Sequence, residues 1–349
     1  MKVAFGIGFG SNPVMLHAAD VPKFQELARR AEGYGAAALG TYDSAFLGGD
    51  AYVRATLMAQ ATARASVGLR PSNPLTREPQ IMASFLASID ALTGGRAFLD
   101  IASGDSAVFN IGYAAASRAR IEDYVACVRG LLAKGESTYQ GRPQRVRWTS
   151  ATVRPRVPIS ICAEGPKMLH LGGRIGDGVI AGTGLLPDVI ADTVARIRAG
   201  AREAVRDPAD VEIWFTTRTA LDRDHDAAID RVKASVSSIL NHAMRFGLEG
   251  KLVPEELKQR VQEYVDGYEL YDHVVHAGRN PKRMEALGLT DYALSRWALA
   301  GTPKDWIERI EQIAAAGATR IWVGLGGQNL DRQLLDLRTL GEEIMPRFV

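Results

Sequence analysis

Short apolar runs and longer stretches of helical periodicity alternate along the whole chain. "VAFGIGFG" (Val3 to Gly10) precedes a segment in which Phe24, Leu27, Ala28 and Ala31 recur at helical spacing, predicting a helix over Lys23 to Tyr34. "AAALGTYD" predicts a second strand, with a helix from Tyr52 to about Ala63 behind it. "SVGL" predicts a third, followed by a helix from Pro79 through Leu92 whose proline sits in the first turn, where a missing N–H costs nothing. "AFLDIASG" (Ala97 to Gly104), "PISICAEG", "GVIAGTG", "VEIWFTTRTAL" and "RIWVGLG" complete a series of eight. These runs rarely alternate polar with apolar, as expected of strands buried on both faces. Eight such strands, each with helical sequence downstream, predict an α/β fold closed into a (β/α)8 TIM barrel rather than an open doubly wound sheet.

Two intervals are too long for plain connections. Asp105 to Val157 holds a helical pattern near Ile121 to Ala133 and then "STYQGRPQRVRW", whose turn residues and alternation predict a small hairpin. Asp222 to Thr319 has room for several helices before "TPKDWIERIEQIAAAG", where Thr302 suits an N-cap and Pro303 the first helical position. The chain is expected to be one barrel domain over 1–349 with insertions after strands four and seven, at about 106–156 and 222–300, that shape or cover a site.

The third strand ends in "RPSNPLTREP" (Arg70 to Pro79), stiff and polar directly after a core strand. A rigid elbow at the end of a fixed strand is well suited to present itself to a ligand.

Composition narrows the picture without naming a chemistry. The chain has 349 residues, 46% hydrophobic and 23% charged, with a net charge of +2 and no block of like charges. Nothing in that balance points to nucleic acid or a membrane surface as partner. The two cysteines, Cys127 and Cys162, lie far apart without ligand spacing, so neither a disulfide framework nor a metal site is expected, and a cytoplasmic location is. The N-terminal run lacks the length and cleavage pattern of a signal peptide. The histidines form no metal motif, although His273 and His276 are spaced to share a helix face.

The residues that carry chemistry gather at predicted strand ends. "GIGFG" fails as a dinucleotide fingerprint, because Ser11 stands where the last glycine is required. Strand five ends in Ala163, Glu164 and Gly165 and strand six in Gly182, Thr183 and Gly184. Small residues there either let backbone N–H groups approach a phosphate or simply make tight βα turns. Strand four ends in Ser103, Gly104 and Asp105, at the same rim as Asp43 of strand two. Two carboxylates at one rim suit acid/base work if burial raises a pKa; capping or solvation is the plainer reading of each. Asp100, inside an apolar strand, needs a partner such as Arg70 or Arg218, or a proton.

"SNPLTREP", "ASIDALTGGRAFLDIASGD", "FNIG" and "AEGPKMLHLGGRIGDGVIAGTG" together resemble the bacterial luciferase-like oxidoreductases, and within them the methylene-tetrahydromethanopterin reductase branch. The likeness runs over nearly the whole chain. It implies a (β/α)8 barrel binding FMN or the 8-hydroxy-5-deazaflavin coenzyme F420 at the C-terminal rim. It also implies hydride transfer to or from the deazaflavin on a small organic substrate, or a two-component monooxygenation with reduced FMN, oxygen and a separate flavin reductase. A homo-oligomer is expected. The implied cofactor contacts are Pro71, Ser72, Asn73, Ser103, Gly104, Ala163, Glu164, Gly165, Gly182, Thr183 and Gly184, with Asp43 and Asp105 as acid/base candidates. A cis peptide is implied at or beside Arg70–Pro71. Many deazaflavin-using members carry a histidine beside the strand-two aspartate, where this chain has Ser44. Two readings of other classes stand beside this one: a non-catalytic flavin-binding barrel, and an unrelated barrel enzyme acting on a phosphorylated substrate.

Overall fold

The computed structural model describes residues 2–10, 15–148, 154, 156–273, 275–325 and 329–349. Among them, eight parallel strands close into a barrel: β1 (Ala4–Phe9), β2 (Ala38–Thr41), β3 (Ser66–Ser72), β4 (Ala97–Ile101), β5 (Ile159–Ala163), β6 (Gly178–Ala181), β7 (Glu212–Thr216) and β8 (Arg320–Leu325). Each strand pairs with its sequence neighbours, and β1 with β8 in register from Ala4–Arg320 to Phe9–Leu325. The period of two divides every strand between two cores. Outward residues such as Phe5, Ile7, Leu39, Leu99, Ile161 and Val179 are buried beneath the helices, at about 1.5–3 kcal/mol for each large side chain. Inward, Phe98, Cys162, Ile180, Trp214 and Trp322 fill the lower barrel. Gly6 is on this inner face because a Cβ there would run into the Trp322 ring at 2.5 Å.

Helices fall where the apolar period placed them. Val21–Gly33 buries Phe24, Leu27, Ala28 and Ala31, and Pro79–Thr93 opens on its proline and closes at Gly94 in the left-handed conformation. Thr302 and Asp305 form a reciprocal capping box with Pro303 in the first turn of the helix Pro303–Ala315. Ser11 and the rest of 11–14 lie outside the described residues.

Between β4 and β5 the chain forms the helix Arg118–Lys134 and a hairpin of Glu136–Tyr139 with Arg142–Arg145. Between β7 and β8 the helices His225–Met244, Glu255–Asp266, Arg279–Ala286 and Thr290–Trp297 gather their own core around Val232, Val236, Leu240, Tyr264, Met284 and Trp297.

The run expected as one seventh strand is two. It breaks at Thr217, whose N–H and hydroxyl both donate to the Trp322 carbonyl, at 3.1 and 2.7 Å. Arg218–Leu221 then leaves the barrel and pairs in parallel with Ala298–Gly301 beneath the insertion. The predominance of β-branched and aromatic residues on both sides of the break conceals this exchange of partners. His273 and His276 share no helix face either: both follow the short turn Leu270–Asp272, where His273 meets the Tyr268 hydroxyl at 2.8 Å and His276 faces Asp230 at 3.3 Å.

Candidate active site

The C-terminal ends of the strands surround a mouth whose walls differ in origin. On the β2–β3 side the elbow is braced from outside. The Arg70–Pro71 bond is cis, as implied, and coincides with a register shift against β4 between Leu69 and Ser72. Asn73 uses its side chain internally, accepting from the N–H groups of Leu75 and Thr76 at 3.0 Å each. Tyr139 and Tyr124 of the first insertion donate to the carbonyls of Pro74 and Arg77, at 3.3 and 3.1 Å. The elbow is therefore a rigid wall, with Asn73 shaping it rather than reaching inward.

Against this wall, the Ser72 hydroxyl donates to Asp43 Oδ2 at 2.8 Å, and the Asp43 N–H donates to the Pro71 carbonyl at 3.0 Å. Burial raises the Asp43 pKa above its ordinary value, with Ser72 and Arg77 opposing in part. Ser44 is buried against Ser106, hydroxyl to hydroxyl at 3.1 Å.

The floor is polar and incompletely paired. Asp100 takes Arg70, not Arg218, as its partner, but Arg70 Nε lies 3.9 Å from Asp100 Oδ2, beyond hydrogen-bond reach. The Arg70 guanidinium stacks on Trp322 at 4.2 Å. Arg70 Nε and Nη2 and Asp100 Oδ2 are buried without a hydrogen-bond partner. Burial pushes Asp100 up to about 7 against the pull of Arg70, and brings Arg70 down to about 10.

The opposite wall comes from β4, β5 and the second insertion. Asp105 pairs with Arg245 Nη1, and the Arg245 guanidinium carbon lies over the Phe109 and Phe246 rings, at 4.8 and 4.9 Å from their centres. His242, one helical turn before Arg245, stands between two carboxylates: Nε2 is 3.8 Å from Asp105 Oδ2 and Nδ1 is 3.5 Å from Glu164 Oε1. The two nitrogens face different acids, which is not the convergence a metal ion needs. Burial alone would raise Asp105, yet His242, Arg245 and His273 bring it down to about 2. Asp105, expected as an acid/base candidate, is thus held as an anion at neutral pH by its pair with Arg245. Arg218 opens the strand Arg218–Leu221 that follows β7, with its Nε buried and unpartnered.

Along β5 and β6 the six small-residue positions part company. Gly182 to Gly184 are sealed from above: the Gly182 carbonyl accepts from Trp297 Nε1 at 3.0 Å, the Thr183 hydroxyl meets Thr193 at 2.8 Å, and a Cβ on Gly184 would strike Arg296 at 2.5 Å. Gly184 also has φ +126°, which only glycine adopts easily. Ala163, Glu164 and Gly165 lead instead into the uncapped N-terminus of the helix Pro166–Ile175, beside Lys251, whose Cε lies 3.5 Å from where a Gly165 Cβ would be. Ser103 and Gly104 turn the β4 loop, Ser103 accepting from the Ala116 N–H at 2.7 Å and Gly104 with φ +98° against Val108.

The side between β8 and β1 is open. Gly324 is exposed and Gly8 half-buried although both belong to barrel strands, and among the described residues a Cβ on Gly8 would meet nothing nearer than 3.8 Å. The mouth is therefore a slot with a glycine-lined side, a floor of unpaired polar atoms and two acid-bearing walls. His242, Arg245, Lys251 and Tyr268 had no place among the residues singled out from sequence. The spacing of His242 and Arg245, three apart on one helix, was the only local signal for them.

A family model described as luciferase-like monooxygenase matches residues 2–320. The 5,10-methylenetetrahydromethanopterin reductase of Methanopyrus kandleri is 28% identical over 314 residues, covering 84% of this chain and 85% of that protein. The F420-dependent glucose-6-phosphate dehydrogenase of Beutenbergia cavernae is 24% identical over 299 residues, covering 83% and 80%. Among solved structures, the coenzyme F420 dependent tetrahydromethanopterin reductase from Methanopyrus kandleri matches the whole of both chains with a TM-score of 0.74 at 24% identity. The monooxygenase RslO1 from Streptomyces bottropensis does so at 0.70 and 20%. At these identities the two structures establish the shared barrel; the model match, which reaches from β1 to the start of β8, establishes the lineage: this chain belongs to the luciferase-like monooxygenase family.

Proposed function

We propose that the chain is an oxidoreductase that transfers a hydride between coenzyme F420 and a small organic substrate in the barrel mouth. The observation that carries this reading is the floor: buried, unpartnered Arg70 Nε, Arg70 Nη2 and Asp100 Oδ2 beneath a slot open at Gly8 and Gly324. Buried polar atoms without partners are costly, and a flat heterocycle whose edge carries carbonyl and N–H groups would satisfy donor and acceptor together. Bound there, the deazaflavin would supply a ring carbon that accepts or gives a hydride. The elbow at Pro71, Ser72 and Asn73 would back the ring, with Ser103 and Gly104 bounding the slot. Asp43 would remain in reach of the reacting centre, and Asp105 would act as a fixed negative charge beside it.

The phosphate would sit on the rim at Ala163 to Gly165. There the helix N-terminus, with no side-chain cap, leaves the Lys167 N–H for a ligand, and Lys251, lowered by burial to about 8, stands beside it. Gly182, Thr183 and Gly184 would support that rim from behind. The same reading takes the chain as one domain over 1–349 with covering insertions at about 106–156 and 222–300, acting as a homo-oligomer in the cytoplasm.

FMN is the second reading, favoured by the monooxygenase name of the matched family, and under it a separate flavin reductase supplies the reduced cofactor. The test is a binding titration with oxidised and reduced F420, FMN and riboflavin. F420 should bind tightest, and riboflavin, which lacks the phosphate, much more weakly than FMN. FMN tighter than F420 would favour the second reading. Failure of both cofactors to bind would contradict the proposal.

A further inference from the structure

We propose that His242, carried into the mouth by the second insertion, gives and takes the proton that accompanies hydride transfer to and from the substrate. The inference rests on the oxidoreductase reading above and names the residue that completes it.

The geometry singles out this imidazole by elimination. Asp105 is locked to Arg245 and stays ionised. Asp43 belongs to the opposite wall and its Oδ2 is engaged by Ser72. Ser44, bonded to Ser106, is no proton carrier. The Nδ1 of His273 is engaged by the Tyr268 hydroxyl at 2.8 Å. His242 alone among these presents two ring nitrogens set between carboxylates at 3.5 and 3.8 Å, too long for hydrogen bonds. Its side chain keeps 20% of its surface accessible.

The charges that face it make it a base that becomes a tolerated cation. Glu164 approaches from the end of β5, Asp105 from the loop after β4, Arg218 from the start of the strand that follows β7, Arg245 from its own helix and His273 from the insertion loop. Burial lowers its pKa, Glu164 and Asp105 oppose, and the two arginines reinforce the lowering. The resting ring is therefore neutral near neutral pH and able to accept a proton, after which two carboxylates stand ready to stabilise the charge. In the oxidising direction the substrate C–H bond breaks and its electron pair leaves as hydride for the oxidised deazaflavin or flavin. The O–H bond breaks, its proton passes to His242, and its electron pair closes the C=O bond. Reduction of a carbonyl runs the same transfers backwards.

The first half of the test needs no cofactor: NMR of protein carrying heavy-nitrogen-labelled histidine, followed against pH. The expected result is an imidazole neutral near neutral pH, absent from His242→Gln, whose protonation moves to lower pH in Glu164→Gln. A ring already cationic at neutral pH, or one unmoved by Glu164→Gln, would overturn the proposal. The second half uses F420-loaded protein with propan-2-ol and glucose 6-phosphate as probes. Oxidation should fall as pH drops through the His242 titration; in His242→Gln this limb should vanish and the rate drop roughly 10²–10⁴-fold with F420 affinity within a few-fold. A limb that survives in His242→Gln also overturns it. Failure of either cofactor to bind counts against the functional reading alone, because the NMR half still decides whether His242 is the available base.

Discussion

Asp43 and Asp105 stand on opposite walls of one mouth, and their surroundings drive them in opposite directions. Asp43 is walled by the barrel's own elbow, where its near partner is the neutral Ser72 hydroxyl, so burial dominates and its pKa rises. Asp105 is walled by the insertion, which brings Arg245, His242 and His273 to it, and its pKa falls to about 2. The same residue type at equivalent strand ends thus becomes a tunable acid on one side and a permanent anion on the other. The barrel supplies positions; the insertion supplies the charges that decide what those positions do.

Removing the cation from the insertion side should have the largest effect. Arg245→Leu leaves a three-quarters buried Asp105 without its ion pair and should cost roughly 2–4 kcal/mol in denaturant unfolding, somewhat less than for a fully buried pair. The sign with pH follows. The depressed Asp105 contributes stability above its unfolded value of about 3.9, and that stability is lost as pH falls toward about 2. In Arg245→Leu this contribution should shrink, His242 and His273 still holding part of it, which acid titration of the unfolding free energy would show.

The floor should behave in the opposite sense. Asp100 is raised to about 7, so its protonated form stabilises the fold at low pH, and that contribution is lost as pH rises from about 4 to about 7. Wild-type stability should decline by about 1–3 kcal/mol across that window, and the decline should flatten in Asp100→Asn. An equal slope in both proteins would place the titration elsewhere.

The smallest effect belongs to the barrel-side wall. Asp43→Asn imitates the protonated acid and keeps an oxygen for Ser72, so it should change unfolding by no more than about 1 kcal/mol. A loss as large as that of Arg245→Leu would erase the distinction between the walls.

What was legible in the sequence follows the same division. The barrel could be read because most strands are contiguous runs largely buried on both faces, and helices such as Val21–Gly33 and Pro303–Ala315 carry their own apolar period and a proline in the first turn. The elbow could be read because proline and asparagine act locally. The break at Thr217 could not, because it depends on the Trp322 carbonyl 105 residues away. The Arg245–Asp105 pair is 140 residues apart in sequence, and no local pattern announces such a meeting. Gly182 to Gly184 read in sequence equally as a phosphate loop or as tight βα turns, and their cover could not be foreseen, because Trp297 and Arg296 lie more than a hundred residues further on.

The central claim is that a flat cofactor enters the glycine-lined side of the mouth above Arg70 and Asp100. The most direct measurement is F420 affinity, by fluorescence titration, of wild type against Gly8→Leu, with thermal unfolding of both as a control for folding. Among the described residues a Cβ at Gly8, on the inward face of β1, meets only ordinary contacts at 3.8 Å, so a side chain there is expected to enter the mouth without breaking the strand. The account predicts saturable F420 binding to the wild type, at least tenfold weaker binding to Gly8→Leu, and a similar unfolding temperature for the two. Equal affinity in a folded Gly8→Leu would contradict it and place the cofactor, if bound at all, away from this slot.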